Sequence, residues 1–198
     1  MTALDIFLDT TLTEVTRTVR AVDESALQKA AQLIWDAQAR GSRVHITGIG
    51  KPGHVAAYMA SLLSSTGTPT YFLHGTEAVH GSCGQLMEGD VVICISNSGE
   101  TGEMKATAQA IRNNGCKVIA VTGNADSWLA RFGDAHLWAG IQNEGGPLNR
   151  APRASILAET IVLQALSVIL QEKRAITPAE YVKRHPGGSL GHLRENEK

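Results

Sequence analysis

The sequence predicts an α/β fold in which parallel strands alternate with helices that cover both faces of one open sheet. Three observations carry that expectation. Five short segments, at 43–47, 70–73, 90–95, 117–122 and 135–139, read as strands, with 90–95 the clearest apolar run. Helical patterns separate most of them. Two glycine- and hydroxyl-rich loops, at 48–51 and 96–101, follow directly on predicted strands. Ligands of open α/β sheets sit beyond the carboxyl ends of the strands, where strand order reverses, so both loops are expected to face one crevice.

Each element has its own signal. Leu4, Phe7, Leu8, Leu12, Val15 and Val19 recur at helical spacing, which predicts a helix over 3–20. Asp23 is placed to cap a second helix that runs to about 39 and ends at Gly41. After the first strand comes a helix over 51–65, with Pro52 suited to its first turn. The short strand at 70–73 leads to a loop or short helix around 76–80. A helix over 100–113 joins the third and fourth strands, and a short one over 126–131 precedes the fifth. The long apolar segment 155–170 closes the core as a helix.

At 198 residues, 43% of them hydrophobic, the chain can bury one core. A single domain over 1–198 is expected, with N-terminal helices over about 3–40, an α/β core over about 43–192 and a frayed tail over 193–198. The formal net charge is −1 and no run of like charges occurs, which argues against nucleic acid or an acidic membrane as partner. Cys83, Cys94 and Cys116 lack framework spacing and read as reduced thiols. No signal segment opens the chain, and no apolar stretch is expected to reach the roughly 18 residues of a bilayer span. A soluble, cytoplasmic protein is expected.

The most informative loop is Ser96-Asn97-Ser98-Gly99-Glu100-Thr101, between an apolar strand and a helical pattern. A helix N-terminus offers unpaired N–H groups and a positive dipole end, and Ser96, Ser98 and Thr101 add hydroxyl donors. The loop lacks the Gly-Lys-Ser/Thr ending of a nucleotide P-loop and the spacing of a dinucleotide site, so a compact phosphate monoester is the better reading. A serine-rich helix cap without a ligand is the alternative.

That loop, together with Gly48-Ile49-Gly50-Lys51 and His185-Pro186-Gly187-Gly188, resembles the sugar isomerase (SIS) family, and within it the D-arabinose-5-phosphate isomerases. Ser65-Thr66-Gly67-Thr68-Pro69, Glu77-Ala78-Val79-His80-Gly81 and Pro147-Leu148 support the likeness, which runs over roughly 5–192. The resemblance implies a three-layer α-β-α sandwich on a five-stranded parallel, flavodoxin-like doubly wound sheet. It also implies interconversion of D-ribulose 5-phosphate and D-arabinose 5-phosphate, and a homotetramer whose active sites borrow histidines from neighbouring subunits. Carried over by motif, Ser96, Asn97, Ser98 and Thr101 bind the phosphate, with Gly48 and His80 as further substrate-binding positions. Lys51, Glu103, Glu144 and His185 are the catalytic candidates.

Two departures stand out. Relatives commonly carry a pair of cystathionine-β-synthase-type domains after the SIS domain, and none is expected here, where the sequence ends shortly after Gly191. Relatives also have a run of Thr and Ser where this chain reads Ala151-Pro152-Arg153-Ala154-Ser155-Ile156-Leu157. Either some polar contacts near the sugar are missing or Arg153 replaces them, and the exact sugar phosphate stays open between the two.

Aldose–ketose isomerisation moves a proton between C1 and C2 through an enediol, which requires a positioned base and a cation or N–H donors for the oxyanion. Glu103, one turn into the helix after the phosphate loop, is assigned the base; its bland reading is a solvated first-turn carboxylate. Glu144 lies in the loop 142–147 after the last strand. Lys51 opposes the dipole at a helix start, a local conflict that points to an anion, and is assigned to sugar-oxygen or enediolate stabilisation. His185 precedes the rigid turn Pro-Gly-Gly and is assigned ring opening or proton shuttling, with helix capping as the rival. His80 and Cys83 have two-ligand spacing without a second pair, so no metal is expected, nor any cofactor. His45, His54, His74, His136 and His192 read as structural. The apolar stripes over 4–19 and 155–170 exceed what one small sheet needs, which independently favours an oligomer. The competing functions are an isomerase of hexulose or heptulose phosphates and a non-catalytic phosphosugar sensor.

Overall fold

The structure, a computed structural model, describes residues 1–197; Lys198, the end of the expected tail, lies outside them. Two helices come first, α1 (Ala3–Arg20) and α2 (Glu24–Ala39). There follow β1 (Val44–Gly48), α3 (Lys51–Ser65), β2 (Thr70–Phe72) and α4 (Gly75–Ala78). Next come β3 (Val91–Ile95), α5 (Gly102–Asn113), β4 (Lys117–Thr122), α6 (Trp128–Phe132) and β5 (Ala135–Trp138), then α7 (Ala154–Arg174) and α8 (Pro178–Arg184). Short 3₁₀ turns occupy Ser82–Gln85, Ser189–Gly191 and Glu195–Glu197.

The five strands form one all-parallel sheet in the order β2-β1-β3-β4-β5. Successive side chains of a strand point to opposite faces, and the core divides accordingly. Val44, Ile46, Ile93, Ile95, Ile119, Val121 and Leu137 face a layer of α2, α3 and α7. Val92, Cys94, Val118 and Ala120 face α4, α5 and α6. This is the expected α-β-α sandwich. The chain leaves β1 for β2 on one side and places β3 on the other, so the order reverses between β1 and β3, where Gly48 pairs with Ile95.

Local chemistry sets the ends. Thr2 and Asp5 form a reciprocal capping box at α1, and Asp23 accepts the N–H groups of Ser25 (2.9 Å) and Ala26 (3.2 Å) at α2. α5 starts two residues later than its periodicity suggests, because Ser98-Gly99 makes a turn with Gly99 at φ +65° and Thr101 stands outside the helix as its N-cap. α7 continues four residues past the expected 170. It also meets the length and mean hydropathy (1.6) of a bilayer span, contrary to the expectation that no stretch would. Half of that window is buried in the protein, where α7 packs against α1, α2 and α3. α8 has no counterpart in the sequence reading.

The orientation of α1 also departs from its pattern. Leu4, Leu8, Leu12 and Val19 are 54–70% exposed, whereas Glu14 and Thr18 are buried. The helix packs on α7 through its polar side and leaves its apolar stripe uncovered.

Candidate active site

The site begins at the fork between β1 and β3. Gly48 closes β1 against the first turn of α3: a Cβ there would sit 2.6 Å from Pro52 C and 2.8 Å from Gly53 N, so only glycine lets strand and helix meet. Lys51 opens α3, exposed, and among the described residues it has no ion-pair partner. A crevice of about 350 Å³ lies beside it, lined by Gly48, Ile49, Gly50, His54, Phe72 and His74 among others.

Across the fork, the loop 96–101 is organised by its own hydroxyls. Ser96, 5% exposed, has its Oγ 3.2 Å from Thr101 Oγ1 and accepts the N–H of Gly99 at 3.2 Å. Ser98 Oγ accepts from Glu100 N at 3.2 Å. A Cβ on Gly99 would collide with Ser127 Oγ, so this turn too requires glycine. Asn97 O accepts from Gly123 N at 2.8 Å, which ties the loop to the end of β4. Ser96 is thus the internal brace, while Ser98 and Gly102, at the start of α5, face solvent with Asn97 and Thr101 half-exposed. That leaves hydroxyls and helix N–H groups open to an anion. Glu103 is exposed in the first turn of α5 and makes no hydrogen bond among the described residues. His80 is exposed beyond α4, whose Gly75 carbonyl accepts a 2.6 Å hydrogen bond from Thr107 of α5.

The loop after β5 holds Glu144, only 8% exposed. Its Oε2 accepts the N–H groups of Arg153 (2.6 Å) and Ser155 (3.2 Å), so the carboxylate caps α7 and Oε1 is left without a bond. Asn149, in the left-handed region at φ +49°, accepts from Glu144 N at 2.6 Å. The buried Glu14 of α1 accepts from Gln142 N at 3.1 Å and Asn143 N at 2.9 Å. The Arg153 guanidinium packs against Gly146, and Arg150 and Arg153 line a groove with Pro147 and Leu148.

His185 stands apart from these residues. It caps α8, stacked on Tyr181 with ring centroids 4.0 Å apart and its Nδ1 3.0 Å from Tyr181 O. The Arg184 guanidinium packs beside Gly67, whose carbonyl accepts from Arg174 at 2.7 Å. Gly67 leads into the amino end of β2, and the 21-residue α7 spans about 30 Å from the Glu144 loop to that point. His185 therefore lies at the opposite end of the sheet from the fork within its own chain.

Two residues of the crevice, His54 and His74, read as structural in the sequence. Their only signal there is position, each within a few residues of the end of a predicted strand. Among the described residues no three His, Cys, Asp or Glu side chains are grouped so as to hold a metal ion.

The SIS domain model matches residues 37–169, which contain the whole sheet and all of the site except His185. The chain belongs to the SIS domain family. It is 41% identical over 149 residues to the arabinose 5-phosphate isomerase KdsD of Pseudomonas aeruginosa, covering 75% of this chain and 46% of that one. It is 37% identical over 172 residues to the arabinose 5-phosphate isomerase KpsF of Escherichia coli, covering 87% and 53%. The chain thus spans about half the length of the curated relatives it matches. Among solved structures, c3406 of E. coli CFT073 in complex with arabinose 5-phosphate superposes with a TM-score of 0.81 at 36% identity, covering 92% of this chain and 95% of that one.

Proposed function

We propose that the protein is an aldose–ketose isomerase that interconverts D-ribulose 5-phosphate and D-arabinose 5-phosphate through an enediol. The supporting observation is that Lys51, the loop 96–101 with Glu103, and Glu144 follow the carboxyl ends of β1, β3 and β5 respectively, in a fold similar over nearly its whole length to one solved with arabinose 5-phosphate. The phosphate rests on Ser98, Thr101, Asn97 and the N-terminus of α5. Glu103 takes the proton from C2 of the aldose, or C1 of the ketose, and returns it to the other carbon. Lys51 neutralises the enediolate oxygen, and the free Oε1 of Glu144 holds a sugar hydroxyl. Gly48 gives the substrate close passage over the fork, and His80 borders the bound sugar.

His185 reaches the reaction from a neighbouring subunit, because its own fork lies at the other end of the sheet. The uncovered apolar stripe of α1 supplies surface for that assembly, a homotetramer working in the cytoplasm. A second reading, an isomerase of a longer sugar phosphate, draws support from Arg150 and Arg153 beside the Glu144 loop. Conversion of pentose, hexose and heptulose phosphates followed by NMR in the presence of chelator decides between them. No conversion of any of these, with binding retained, would leave a sensor.

A further inference from the structure

Glu159 lies one turn along α7 from Ser155 and is 0% exposed, yet neither of its carboxyl oxygens has a hydrogen-bond partner among the described residues. Asp90 shows how this protein holds a carboxylate that is equally buried. It accepts from Arg43 N (2.8 Å) and Met87 N (3.0 Å), with His45 Nε2 3.0 Å away. A charge buried without such donors is strongly disfavoured, so Glu159 keeps its proton instead. Burial, followed by the negative charge of Glu144, pushes its ionisation up to about 8.

The position links this group to the site. Ser155 N holds the Glu144 carboxylate, and Glu159 follows Ser155 by four residues, about 6 Å along the helix and on the same face. Side chains of a helix lean toward its N-terminus, here toward Glu144. α7 packs against α1, which carries Glu14 and Arg17, against α2, which carries Lys29 and is capped by Asp23, and against α3, which carries Lys51 and His54; the charge that raises the ionisation of Glu159 beyond the effect of burial is that of Glu144.

We propose that Glu159 is a positioning residue for Glu144: a carboxyl that stays neutral behind the site and so lets the Glu144 carboxylate remain charged over the N-terminus of α7. Loss of the Glu159 proton to solvent would set two negative charges against each other in a dry interior. Repulsion would then push the Glu144 carboxylate off its donors at Arg153 and Ser155, which displaces the anionic Oε1 from the site. The proposal rests on the assignment of Glu144 to the reaction.

The test pairs a pH profile with direct titration. With D-arabinose 5-phosphate as probe, wild-type kcat/KM is expected to fall above about pH 8, and Glu159→Gln, which cannot ionise, to carry activity about one pH unit or more further. In carboxyl-¹³C-Glu protein, the Glu144 signal, assigned with Glu144→Gln, is expected to step near pH 8 in the wild type and not in Glu159→Gln. An unmoved alkaline limb with a Glu144 signal indifferent to Glu159 overturns the proposal. Should the wild type not isomerise this sugar at all, the substrate reading falls, and the carboxyl signals alone decide whether the two groups are coupled. If Glu159→Gln does not fold, the wild-type signals serve: no glutamate titrating near pH 8 overturns the proposal.

Discussion

The Glu144 carboxylate lies 2.6 Å from the backbone nitrogen of Arg153, so the loop after β5 is pinned to the start of α7 by a buried acid. One oxygen caps the helix, and the other is left for the ligand contact proposed above. Glu14 holds the same loop from the other side through Gln142 and Asn143.

Removing the cap and removing the charge are therefore expected to separate. Glu144→Ala leaves the N–H groups of Arg153 and Ser155 unpaired in a largely buried place and is expected to cost about 1–3 kcal/mol of stability, besides activity. Glu144→Gln keeps an oxygen for the cap, so turnover is expected to fall while the melting temperature changes less. Thermal melts and steady-state rates of both variants check this. Equal loss of stability in the two would count against the division of labour between Oε2 and Oε1.

Glu159 also predicts a pH dependence of stability. Its ionisation is raised from 4.5 in the unfolded chain to about 8 in the fold, so between those values the folded state holds a proton that the unfolded state has lost. The contribution of Glu159 to stability is expected to be complete below about pH 4.5, to decline as pH rises and to level off above about 8. Melting temperatures of Glu159→Gln are expected to lack this decline, and parallel curves for the two proteins would refute it.

The sheet was legible because β3 is buried along its whole length and appears as an unbroken apolar run, and β1, equally buried, alternates β-branched residues with His45, while flanking glycines and prolines mark the turns. The 96–101 loop was legible for the same reason: it follows such a run directly. What escaped is what periodicity cannot express. The burial of Glu14 and Thr18 on α1 is one such feature, because a buried carboxylate is recognised only by the distant N–H groups it receives. Glu159 hid as one polar residue in an apolar stripe. α8 was too short and polar to show a period, although Thr177-Pro178-Ala179-Glu180 spells the capping box that forms there. The separation of His185 from the fork depends on the length and direction of α7, which no local pattern records.

That separation gives the assembly a functional test. Mixing Glu103→Gln with His185→Ala, each weakly active alone, and allowing subunits to exchange is expected to restore turnover, because some hybrid sites then combine an intact Glu103 with an intact His185 from another chain. Persistent inactivity of hybrids shown to have formed would mean that both residues serve the same chain's site.

The most direct measurement is the fate of the C2 proton when D-arabinose 5-phosphate is incubated with the protein in deuterated water. The wild type is expected to place solvent deuterium on the sugar and form ribulose 5-phosphate. Glu103→Gln is expected to bind the phosphosugar yet slow exchange by about 10²–10⁴-fold, the range for a positioned general base. Wild-type protein that binds the sugar yet neither exchanges its proton nor forms ribulose 5-phosphate would contradict isomerisation, and exchange that survives in Glu103→Gln but disappears in Glu144→Gln would move the base to the loop after β5.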